Sequence, residues 1–89
     1  MEISDAFNAL TCAFHQESVS YYGSREDLLE TAVGFVPIEN RTELAGYIDR
    51  LIEADPMVRQ NVWLASSAGI YFPRDEDLLG VLEDIRLRL

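Results

Sequence analysis

A chain of 89 residues, 48% apolar, makes one domain of 1–89 with enough apolar material for a single core, which excludes a disordered chain. A net charge of −9, from sixteen acids and seven arginines with no lysine, argues against nucleic acid or an anionic membrane as partner and favours a basic one. One cysteine, Cys12, excludes an internal disulfide.

The acids are not evenly spread. Residues 1–45 carry eight acids and two arginines, net −6; residues 46–89 carry eight acids and five arginines, net −3. No apolar run approaches the roughly 18 residues of a membrane span. The opening Met1-Glu2-Ile3-Ser4-Asp5 has no basic stretch ahead of an apolar one, so no signal peptide is expected and a cytoplasmic protein is the default.

Taken in order, residues 3–15 are predicted as a helix. Ile3, Phe7, Leu10 and Phe14 fall on one stripe, with Ala6 and Ala13 beside them and Ser4 or Asp5 as the cap. Cys12 falls on the other side. Residues 16–23 form a connector broken by Ser18, Ser20 and Gly23, with Tyr21-Tyr22 expected to fold back on the core. Residues 24–35 are predicted as the second helix, opened by Ser24 with Asp27 in a capping-box arrangement and closed by Pro37. Leu28, Leu29, Ala32, Val33, Phe35 and Val36 supply its apolar face.

Residues 38–54 carry the clearest helical period, with Leu44, Tyr47, Ile48, Leu51 and Ile52 at i, i+3, i+4, i+7 and i+8. Either Asn40 caps this helix or it starts a turn earlier. Asp55-Pro56 is a cap followed by a favoured first residue, so residues 56–65 are predicted as a short fourth helix. Its apolar edge is read as Val58, Val62 and Ala65, widened by Trp63 and Leu64. Residues 66–69 break the pattern, and Ile70-Tyr71-Phe72-Pro73 is extended. Residues 75–88 form the fifth helix, on a stripe of Leu78, Leu82, Ile85 and Leu89. Acids in its first turn and Arg86 and Arg88 in its last suit the helix dipole. The expected fold is all-α: a bundle of about five short helices, with the third near the centre.

The chemistry-bearing residues are few. Cys12 and His15, three apart on the predicted first helix, are in reach of each other, the start of a cysteine nucleophile. No glycine-rich oxyanion loop accompanies them, so a half-buried cysteine and a hydrogen-bonded histidine are the expectation. One histidine and one cysteine make no recognisable zinc set, and no calcium-type loop, phosphate loop or dinucleotide fingerprint is present. No metal, cofactor or catalytic residue is therefore expected. What stands out is acid beside tyrosine. Glu17, Tyr21, Tyr22, Glu26, Asp27 and Glu30 cluster in sequence around the connector, and Tyr71 precedes Asp75, Glu76 and Asp77. Exposed tyrosines are common interface anchors, and acids provide charge complementarity, so these ten residues are the candidate partner-binding set. As caps and solvated faces the same acids would serve only the fold.

From Ala13 onward the chain resembles the small immunity proteins of bacterial contact-dependent growth-inhibition systems. The likeness is carried by Phe14-His15-Gln16-Glu17, then by Tyr22-Gly23-Ser24-Arg25-Glu26-Asp27-Leu28-Leu29. It continues in the helix from Glu43 to Ile52 and in the closing stretch from Tyr71 to Leu89. The resemblance implies a non-enzymatic cytoplasmic protein that binds and blocks the toxic domain of a cognate effector, often a basic nuclease. A motif shared across a family is expected to serve the fold, so His15-Gln16 is a poor place for partner-specific contacts, and exposed acids are better ones. The alternative is an acidic regulatory or adaptor domain, or a nucleic-acid mimic. The apolar strip Ile70 to Pro73 is also compatible with a weak homodimer.

Overall fold

In a computed structural model, which describes residues 1–15 and 23–89, five α-helices carry the fold and no strand occurs among the described residues. They are α1 (Asp5–Thr11), α2 (Arg25–Gly34), α3 (Arg41–Glu53), α4 (Pro56–Ala65) and α5 (Asp75–Leu87), with a 3-10 turn at Ile38–Asn40 ahead of α3. The all-α architecture is as expected. The connector expected over 16–23, with Tyr21-Tyr22 against the core, falls outside the described residues except for Gly23.

Local capping explains three of the helix starts. The Ser4 hydroxyl accepts from the Phe7 amide at 3.0 Å, Ser24 from the Asp27 amide at 3.2 Å, and the Asp55 carboxylate from the Met57 amide at 2.9 Å. Gly23, at φ +80°, turns the chain into Ser24 through the left-handed region that glycine enters without a Cβ penalty. Asn40 makes no side-chain cap; the 3-10 turn leads into α3 instead.

Helix α3 is central, touching α1, α4, α5 and the 3-10 turn. Its Leu44, Tyr47, Ile48 and Leu51 are buried in one cluster with Phe7, Leu10 and Phe14 from the N-terminal region and Leu78, Leu82 and Ile85 of α5. Tyr47 donates to the Glu2 carbonyl at 2.7 Å, which pins the N-terminus over the core. Burial raises the Tyr47 phenol above its ordinary value, against the Ser4 backbone bond and nearby Arg50, so the ring stays a neutral donor.

Two expectations need correction. Helix α1 ends at Thr11 rather than at residue 15. The chain then tightens, with Ala13 bonding back to Leu10 at 3.3 Å and Phe14 to Thr11 at 2.9 Å. Phe14 still reaches the core, which is why its spacing looked helical. In α4 the buried face is Arg59, Val62 and Trp63; Val58, Leu64 and Ala65 are exposed. An arginine at a buried position reads as polar in the sequence, and this displaced the predicted stripe by one residue.

Candidate functional site

The charges are arranged very unequally. Every one of the seven arginines has a partner within the chain. Arg25 pairs with Asp84 at 2.6 Å, Arg59 with Asp75 at 2.5 Å, Arg86 with Asp49 at 2.9 Å, and Arg74 with Glu76. Arg41 donates to the Val36 carbonyl at 3.2 Å and Arg88 to the Asp84 carbonyl at 2.9 Å. The Arg50 guanidinium lies 5.6 Å from the Tyr47 ring centre. Four of the seven are thus in ion pairs, and Arg41, Arg50 and Arg88 rest on carbonyls or a ring. Among the described acids, only Asp49, Asp75, Glu76 and Asp84 form ion pairs.

The ten sequence candidates divide accordingly. Glu17, Tyr21 and Tyr22 lie outside the described residues. Glu26, Asp27 and Glu30 are exposed on α2, none in an ion pair, and Glu26 and Asp27 occupy its first turn. Tyr71 is 55% exposed, between Ile70 and Phe72. Glu76 is exposed and held by Arg74; Asp77 is exposed and carries no ion pair. The two acidic groups do not merge into one cluster. Arg25 ties the start of α2 to Asp84, nine residues from Asp75 along α5, or about 13 Å at 1.5 Å per residue.

Asp75 has a structural partner. Arg59, 4% exposed, donates through Nε and Nη2 to the two oxygens of the Asp75 carboxylate at 3.1 and 2.5 Å. Its Nη1 reaches the carbonyls of Leu51, Ile52 and Ala54 at 3.0–3.1 Å, where α3 ends. Gln60 adds a longer contact to Asp75 at 3.4 Å. Sequence reasoning missed Arg59. The available signal was that Arg59, Val62 and Trp63 share one face by i, i+3, i+4 spacing.

The hydrogen bonds from Arg59 hold the Asp75 carboxyl below its ordinary value; partial burial opposes this, and the arginine's charge and Gln60 assist. A carboxyl depressed in the folded state contributes stability that is complete above its unfolded value, about 3.9, and is lost as pH falls through the folded one. The urea midpoint is therefore expected to drop on acidification below about pH 5. Asp75→Asn (D75N) should start lower at pH 7, and its gap to the parent should narrow toward pH 3. A gap independent of pH would contradict the assignment.

The Cys12–His15 arrangement loses its helical premise. Cys12 is the C-cap of α1 and exposed, and His15 lies beyond the helix end, half-buried. Their three-residue spacing no longer places both on one helical face. Among the described residues no three His, Cys, Asp or Glu side chains converge as a metal site would require, and no helix is long and apolar enough to cross a membrane.

Comparison with known proteins finds no family model, no curated protein and no solved structure that matches the chain.

Proposed function

We propose that this chain is a non-catalytic binding protein that neutralises a basic toxic domain by forming a stoichiometric complex in the cytoplasm, as an immunity protein of a contact-dependent growth-inhibition system does. The observation that supports this reading is the one-sided charge arrangement. Sixteen acids face seven arginines, four of which are already in ion pairs, while Glu26, Asp27, Glu30 and Asp77 are exposed and in no ion pair. A surface of this kind speeds encounter with a basic partner, repels nucleic acid, and loses its pull as salt rises. The sequence resemblance to immunity proteins points to the same class of partner. Exposed Tyr71 is a fitting anchor beside such charge.

The test has two arms. Tagged protein is used to capture partners from the source cell at low and at high salt, and the chain is co-expressed with a toxin domain encoded beside it. Expected are one basic protein, recovered in larger amount at low salt, and restored growth. Recovery of no basic protein at either salt, together with unrelieved toxicity, overturns the reading.

A further inference from the structure

Between α2, α5 and the extended residues 70–72 lies an apolar groove of about 270 Å³. Phe14, Leu28, Ile70, Phe72 and Val81 line it, with Arg25 also contributing. Extended chain alternates its side chains, so Ile70 and Phe72 enter the groove while Tyr71 turns to solvent. The segment is fixed in that pose by the Trp63 indole N–H, which donates to the Ile70 carbonyl at 2.7 Å, and by the Gly69 amide bonded to the Phe14 carbonyl at 2.5 Å. The volume is below the roughly 300–1,000 Å³ of small-molecule sites and suits one or two side chains.

We propose that this groove receives an apolar side chain flanked by arginine or lysine on the partner protein. The proposal rests on the reading above that the partner is basic, and it says where that partner docks. Acidic side chains stand beside the apolar floor of the groove. On α5, Val81 has Asp77 one turn before it and Asp84 one turn after it, along the same stripe. Asp77 has no ion pair. Asp84 holds Arg25, but that pair is exposed, at 57% and 43%, and water already competes for it, so an incoming cation can share the carboxylate. A second copy of this chain is a poor occupant: it brings a net charge of −9. The same repulsion disfavours an acidic peptide.

The experiment is a methyl and amide NMR titration of the full chain at low salt. The probe is a short synthetic peptide holding one phenylalanine between arginines. Two control peptides replace its arginines with glutamate or its phenylalanine with alanine. Methyl signals of Leu28, Leu29, Ile70 and Val81 are expected to shift with the first peptide. The alanine peptide should bind at least about tenfold more weakly, the worth of burying one large apolar side chain. Asp77→Asn, a substitution at an exposed position, should weaken binding about threefold, as loss of one exposed charge pair does. Ile70→Trp, which fills the groove and keeps the Ile70 backbone acceptor, should abolish the shifts at Leu28 and Val81.

Binding that shifts exposed acids elsewhere and leaves the groove methyls still overturns the groove while leaving the basic-partner reading intact. Equal binding of the glutamate peptide, or no binding of the arginine peptide, overturns the proposal outright; toxin protection then judges the wider reading separately. Groove shifts that appear with protein concentration alone, without peptide, assign the groove to self-association and overturn it too.

Discussion

Replacing Arg59 by methionine (R59M) is expected to destabilise the fold by up to about 3–5 kcal/mol, the cost of removing one partner from a fully buried ion pair, since Arg59 is buried while Asp75 is 26% exposed. A domain of this length is expected to hold roughly 4–13 kcal/mol, so the loss is a large share of the total. Methionine keeps the apolar stem but removes every donor. The carbonyls of Leu51, Ile52 and Ala54 lose the Nη1 bonds, and the Asp75 carboxylate loses its fork. Arg59 thus joins the end of α3 to the beginning of α5, two elements that sequence distance keeps apart. Lysine at the same position should recover little, because a single ammonium cannot face three carbonyls and a carboxylate at once. The double variant R59M/D75N separates the two roles: whatever loss persists after the stranded carboxylate is neutralised belongs to the carbonyls. Urea titrations at pH 7, followed by the fluorescence of the single tryptophan, measure all three. A loss under about 1 kcal/mol in R59M would mean that water replaces the guanidinium at the helix end at little cost.

The network around Arg59 marks the limit of what the sequence carries. Ser4, Ser24 and Asp55-Pro56 were readable as helix starts because a cap bonds to an amide two or three residues away, inside any reading window. The stripe of α3 was readable because its period is unbroken over Leu44, Tyr47, Ile48 and Leu51, all buried. Arg59 was not, because its partner Asp75 lies sixteen residues on, and nothing local separates a buried arginine from an exposed one. Asp75 itself looked like one of three equal acids at the start of α5. Only the fold shows that Arg59 claims this one, Arg74 holds Glu76, and Asp77 stays unpaired. The candidate surface was legible as a composition of acids and tyrosines, but not as geometry. Nothing in the sequence shows that Arg25 ties the start of α2, with Glu26 to Glu30, to Asp84 and away from the Asp75–Asp77 group at the start of α5, or that an apolar groove lies beside that pair.

Trp63→Ala should cost about 3–5 kcal/mol, read as a lowered thermal midpoint by circular dichroism, since it combines a cavity with a lost hydrogen bond. The indole is 1% exposed and meets three other rings edge-on: Phe7 at 6.1 Å, Phe14 at 5.2 Å and Phe72 at 5.5 Å between centres. Its N–H is the bond that holds Ile70. Trp63→Phe keeps an aromatic ring in the gap and removes only the donor, so its cost should be nearer 1–2 kcal/mol, roughly the price of one unmade buried bond. At about 4–8 °C per kcal/mol for a domain this small, that lowers Tm by about 5–15 °C. The comparison also bears on the groove, because three of the residues that Trp63 touches, Phe14, Ile70 and Phe72, are groove lining. In Trp63→Phe the Ile70 carbonyl is free to turn toward water, and the 70–72 segment loses one of its two anchors. Binding of the arginine–phenylalanine peptide should therefore weaken more than the stability loss alone explains. If Trp63→Phe unfolds as readily as Trp63→Ala, the hydrogen bond outweighs the packing. If it binds the peptide at full strength, the Gly69–Phe14 bond alone is enough to hold the groove open.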